Sequence, residues 1–138
     1  MSDDADKPNV IISDRQEVPA DHDALADLAR STLTQEGAGP VELSVSLVNA
    51  EEMAQLHEQY AGEPGPTDVL SFTMDEDGLL GDVVICPEVA KTQSADLDAE
   101  LRLLLVHGIL HLLGYDHEED QERVAMWKRQ EHYSGVRV

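Results

Sequence analysis

Three histidines in one short stretch carry the clearest chemical signal in this chain. They are His107, His111 and His117, within His107-Gly108-Ile109-Leu110-His111-Leu112-Leu113-Gly114-Tyr115-Asp116-His117. Residues four apart on a helix project from one face, one turn apart, so the first two imidazoles must approach each other. Gly114 follows the apolar run and suits the left-handed turn that ends a helix, which lets His117 return toward the same point. Three neutral imidazoles converging on one point make a metal site with an open fourth position. Zinc fits such a site best, and nickel or copper would also bind imidazole.

The spacing is also that of a peptidase motif, H-E-x-x-H-x-x-G-x-x-H. That chemistry needs a Glu directly after the first His as general base. Here the position is Gly108, which cannot accept a proton. The metal geometry is peptidase-like while the peptidase base is missing. Two other chemistries remain open on spacing alone: a zinc hydrolase of another substrate, and a structural zinc closed by a fourth protein ligand such as Asp116. Asp116 and Glu118 are also the nearby carboxylates able to act as a base or to orient a histidine.

The elements that must position these residues are legible in outline. Asp98–Leu113 reads as a helix apolar on nearly all sides, hence buried at the centre of the molecule. Before it, Val10–Ile12 reads as a strand, Asp21–Glu36 as an amphipathic helix, and Val41–Leu47 as a strand with one buried face. Asn49 caps a helix running to Tyr60. After the Gly/Pro loop 61–66 come the strands Val69–Met74 and Gly81–Cys86, expected to pair as a hairpin. Pro87 opens a short helix, and a last helix runs from Glu119 to Tyr133, with Val124, Met126 and Trp127 expected to face the core. The order βαβαββααα predicts an α+β fold: one domain, a small, mostly four-stranded sheet packed by helices, and the metal site at the end of the buried helix. Residues 1–8 read as a disordered acidic tail and 9–138 as the domain. Asp68 and Ser71 flank the strand expected to border the cleft. Asp82 reads as structural and Cys86 as a small buried hydrophobe. His22, His57 and His132 have no partner at ligand spacing.

Three stretches in order resemble the YbeY family of bacterial metal-dependent endoribonucleases: the histidine motif, Gly65-Pro66-Thr67-Asp68-Val69-Leu70-Ser71-Phe72, and Leu80-Gly81-Asp82-Val83-Val84-Ile85-Cys86. The resemblance spans about residues 10–133. It implies zinc on His107, His111 and His117 and cleavage of single-stranded RNA. It also implies maturation of ribosomal RNA, notably the 3′ end of the small-subunit species, with a role in ribosome quality control. Partners implied are ribosomal RNA and a ribosomal protein or assembly GTPase. A non-catalytic assembly factor with structural zinc is the alternative. Many members of that family carry an Arg, considered catalytic, just after the aromatic residue that closes the second helix. Here Ala61 follows Tyr60, and no Arg lies between residues 51 and 82. Either another cation takes that role or this branch does without it.

Composition pulls the other way. Asp and Glu number 29 against 9 Lys and Arg, a net charge of −20. Nucleic-acid binders usually carry a basic face, and an anionic membrane surface would repel such a chain. With aromatics at 4%, an extended base-stacking platform is not expected. Arg123, Lys128, Arg129 and Arg137 follow the metal motif and could form a local positive rim. The single cysteine, the acidic start without an apolar core and the lack of a membrane-length apolar run predict a cytoplasmic protein without disulfides and without a membrane partner. Self-repulsion of this size predicts that salt stabilises the fold.

Overall fold

The computed structural model describes residues 7–76, 78–115 and 120–136. The expected tail falls largely in residues 1–6, outside the described residues; Lys7 is exposed and Pro8 is buried just ahead of the first strand. The elements are β1 (Asn9–Arg15), α1 (His22–Gln35), β2 (Glu42–Val48), α2 (Ala50–Ala61), β3 (Val69–Glu76), β4 (Leu79–Ile85), α3 (Pro87–Gln93), α4 (Leu97–Leu112) and α5 (Asp120–Ser134). The order is the expected βαβαββααα, and the fold is α+β.

The four strands form one mixed sheet in the order β1-β2-β4-β3. β1 and β4 both run parallel to β2, and β3 and β4 pair antiparallel as the expected hairpin. β2 is therefore central. Its alternation predicts one buried face, but both faces are covered. Leu43, Val45 and Leu47 join the main core with α1 and α4, while Val48 packs under Met53 of α2 on the other face. Ser46 is buried as well and donates to the Asp82 carboxylate at 3.2 Å. A serine satisfied by a neighbouring strand is as buried as a valine, which polarity patterning cannot foresee.

Local signals set the helix boundaries. Asp21, Asn49 and Asp96 each accept a hydrogen bond from a backbone N–H three residues on, capping α1, α2 and α4. At its other end α4 closes with a Schellman turn. The Gly114 N–H donates to the His111 carbonyl and the Tyr115 N–H to the Leu110 carbonyl, each at 3.0 Å. Gly114 has φ +99°, a conformation that costs other residues dearly and turns the chain back over the helix end.

α4 is buried as its composition predicts, packing against β3, β4, α1, α3 and α5. It meets the sheet tightly at Gly108. A Cβ there would lie 2.6 Å from Val83 Cγ1 and 3.1 Å from Ser71 Oγ. The Ser71 hydroxyl donates to the Gly108 carbonyl at 3.2 Å across the same contact. Leu103, His107 and His111 form the α4 stripe that is only half-buried. α5 runs antiparallel along α4: Met126 packs on Val106 and Leu110, and Arg102 Nε donates to the Ser134 carbonyl at 3.2 Å.

The expectation that Val124, Met126 and Trp127 all face the core holds for Met126 alone. Met126 is fully buried, whereas Val124 and Trp127 are 47% and 48% exposed. The buried line of α5 continues through Gln130 and Ser134, two polar residues at core spacing, so apolar periodicity misplaces the face.

Gly108→Ala should destabilise the protein by about 1–2 kcal/mol in denaturant unfolding, overpacking at rigid, buried Val83 outweighing the ~1 kcal/mol gain in helix propensity. In a Val83→Ala background the same substitution should be close to neutral.

Candidate metal centre

His107 and His111 project from the half-buried stripe of α4 into a cleft of about 390 Å³, whose other wall is Val69, Leu70, Ser71 and Thr73 of β3. Their Nε2 atoms lie 3.1 Å apart, with ring centroids 4.5 Å apart and the rings inclined at 77°. Two ligands on one tetrahedral zinc, at the usual Zn–N length, would stand about 3.3 Å apart. The separation therefore suits a pair of ligands to one ion.

The outer edge of His107 is held. Its Nδ1 lies 2.9 Å from Oε1 of Gln130, a side-chain oxygen that can only accept. Nδ1 therefore carries the proton, and the Nε2 lone pair faces His111 and the cleft. Gln130 is 5% exposed and comes from α5. The sequence reading missed it because glutamine is not a ligand type; its one signal is a polar residue at a core position of α5.

His117, Asp116 and Glu118 lie outside the described residues. The chain leading to them is anchored by Tyr115, whose hydroxyl donates to Glu36 Oε1 at 2.6 Å. Glu36 caps α1 and its side chain is 6% exposed. It also accepts from the Tyr133 hydroxyl and, at 2.8 Å, from the Arg129 guanidinium. Burial by itself would raise the Glu36 pKa. The hydrogen bonds from Tyr115 and Tyr133 and the Arg129 charge outweigh it and hold the carboxyl below its ordinary value. Burial and then the bond to the Glu36 carboxylate raise the pKa of both tyrosines, with the Arg129 charge opposing them.

The other sequence candidates divide. Ser71 lines the cleft beside the two histidines. Asp68 stands apart from that lining: Gln93, with its amide NH₂ turned to the carboxylates, donates to Asp68 Oδ2 at 3.2 Å and Glu100 Oε2 at 2.8 Å. The Asp68 carbonyl accepts from the Cys86 N–H at 2.9 Å, tying the start of β3 to the end of β4. Burial pushes the Glu100 pKa up, with the nearby Asp68 charge adding to it. Cys86 is fully buried, as expected. His22 pairs with Asp14 at 2.7 Å. His57 spans the 62–68 loop, with Nδ1 2.8 Å from the Gly65 carbonyl and Nε2 3.3 Å from Glu63 Oε2. His132 is exposed beside Tyr133.

Ala61 is exposed at the end of α2, and the preceding Tyr60 ring meets Phe72 of β3 edge-on at 4.9 Å. Among the described residues, the cations after the motif have different surroundings. Arg129 is spent on Glu36, Arg123 lies by Trp127, and Arg137 is outside the described residues. A larger hollow, about 910 Å³, opens at the carboxyl ends of β1 and β2. Its Arg15 is bound to Glu52 at 2.8 Å, and it holds neither histidine of the pair. Among the described residues no helix is long and apolar enough to cross a membrane.

The comparisons with known proteins give the family. The family model of endoribonuclease YbeY matches residues 11–135. The chain belongs to the YbeY family. It is 46% identical to the endoribonuclease YbeY of Streptomyces coelicolor over an alignment of 138 positions, covering 86% of this chain and 84% of that one. With the Thermobifida fusca endoribonuclease YbeY the identity is 47%, covering 88% and 89%. Among solved structures, the solution structure of TM1509 from Thermotoga maritima superimposes with a TM-score of 0.60 at 30% identity, covering 92% of this chain and 86% of that one. In this YbeY family member the cleft between α4 and β3 thus contains two of the three histidines that its motif supplies.

Two outcomes follow from the anchoring contacts. Gln130→Ala should lower zinc affinity roughly 10- to 100-fold in a chelator-competition titration, the usual cost of losing a ligand's outer partner, and Gln130→Glu should retain most of it. In the metal-free protein, wild type should be more stable than Glu36→Gln above the ordinary Glu pKa of about 4.3. A depressed folded pKa contributes stability above the unfolded value and loses it as the pH falls through the folded one. The difference, followed by urea unfolding, should therefore shrink in acid.

Proposed function

We propose that this chain is a metal-dependent endoribonuclease acting on single-stranded RNA, with zinc held by His107, His111 and His117. The observation that carries the metal reading is the 3.1 Å approach of the His107 and His111 Nε2 atoms into one cleft, with His107 oriented by Gln130. Family membership carries the RNA reading. When bound, a zinc ion supplies Lewis-acid stabilisation of the negative charge that develops on a phosphoryl group under attack.

The chain's own residues do the rest. Gln130 holds the His107 proton on Nδ1. Ser71 fixes the helix against β3, so both imidazoles keep their aim. The β3 residues Val69–Thr73 form the wall along which a strand of RNA lies. Asp116 and Glu118, adjacent in sequence to His117, are the carboxylates we assign to moving the proton or orienting that ligand. Family kinship further supports ribosomal RNA as the substrate, maturation of the small-subunit 3′ end and ribosome quality control as the process, and a ribosomal protein or assembly GTPase as the partner that brings the RNA.

A peptidase reading lacks more than its base. A side chain at position 108 would run into Val83 rather than toward the cleft, so this backbone has no room for the missing glutamate. A structural zinc would require a fourth protein ligand.

His107→Ala, His111→Ala and His117→Ala should each lose bound zinc by elemental analysis and lose cleavage of a single-stranded RNA, while wild type leaves casein intact. Full zinc occupancy in all three variants would overturn the metal assignment, and chelator-sensitive proteolysis without RNA cleavage would overturn the RNA assignment.

A further inference from the structure

The exposed side of α5 is organised relative to the cleft. The line Met126, Gln130, Ser134 faces α4. On one flank of that line, Arg129 and Tyr133 reach Glu36 at the end of α1. At about 100° per residue, Trp127 and Val124 fall on the opposite flank. α1 lies over β1, whereas α4 lies over β3 and β4. The flank turned away from α1 is therefore the β3 side, where the cleft opens. The antiparallel pairing sets the height as well. Gln130 meets His107, and Met126 meets Leu110, so Trp127 stands level with the turn that carries His111.

Trp127 is the chain's single tryptophan and is 48% exposed. The Arg123 guanidinium lies 6.0 Å from its ring centroid. A large, half-exposed aromatic beside a cation is the arrangement that receives an unpaired base and its phosphate. The charge balance gives the pairing a purpose. A body of net charge −20 cannot gather RNA by a long-range field, so affinity must come from short-range contacts indifferent to the sign of that field. Base stacking is such a contact.

We propose that Trp127 is a substrate-binding residue, stacking a base of single-stranded RNA at the mouth of the cleft, with Arg123 beside it. This rests on the ribonuclease reading above. The probe is a short oligouridylate protected from cleavage by 2′-O-methyl groups, titrated into the zinc-loaded full chain. Its binding should quench the emission of Trp127 saturably. By anisotropy of a labelled copy, Trp127→Ala should bind roughly 5- to 100-fold more weakly, the usual range for losing one base–aromatic stack, and Trp127→Phe should keep most of the affinity. On cleavable RNA the Ala variant should raise KM and leave kcat little changed. Unchanged affinity in Trp127→Ala, or emission unmoved by saturating oligonucleotide, overturns the stacking role and leaves the ribonuclease reading standing. If sedimentation shows a dimer that Trp127→Ala splits without weakening RNA binding, the patch joins two copies of this chain, and the proposal is overturned. If the zinc-loaded wild type neither binds nor cuts single-stranded RNA, the ribonuclease reading fails and takes the proposal with it.

Discussion

At Gly108 the backbone of α4 lies directly on Val83 and Ser71, with no side chain between helix and sheet. This contact sets the depth and rotation of α4, and most of the molecule follows from them. Seated this deep, the helix buries Leu101, Leu105 and Ile109 in the main core with α1 and the sheet, and Val106 and Leu110 under α5. The one stripe it leaves half-covered contains His107 and His111. A bulkier residue at 108 would lift the helix off β4 and move both imidazoles relative to the β3 wall.

The histidine pair is then held by groups from other elements. Gln130 reaches from α5 to set the protonation of His107. Glu36, at the end of α1, gathers Tyr115, Tyr133 and Arg129, and so ties the exit of α4 to two other helices. A nearly buried carboxylate is costly unless it is fully partnered, and here two hydroxyls and a guanidinium supply the partners. One consequence is that Arg129, which the charge pattern offers as an RNA contact, is committed to the fold.

The acidity of the chain also reads differently in three dimensions. Several cations are bound locally: Arg15 to Glu52, Arg30 to Asp27 and Arg129 to Glu36. Among the described residues, that leaves little basic surface from which to build a phosphate-binding face. A polyanionic substrate must then rely on the histidine cleft, on stacking, or on a partner that delivers it. This is a different balance from the counterion-release binding of basic nucleases, whose affinity falls with salt.

Sequence by itself determined the element order, the cap at Asn49, the hairpin of β3 and β4, the central buried helix and the pairing of His107 with His111. Each depends on contacts a few residues apart along the chain or on the periodicity of one element. The family was legible too, because its histidine motif is local. Tertiary structure decided what depends on packing between distant segments. Ser46 is buried because Asp82 on the neighbouring strand satisfies it. Trp127 is exposed because Gln130 and Ser134 take the core positions of α5. Asp68 is drawn toward Gln93 and Glu100 rather than to the cleft. Gly108 proves to be a contact surface as well as a missing base. Polar groups at core spacing are invisible to a hydrophobic pattern, since what permits their burial is a hydrogen-bond partner many residues away.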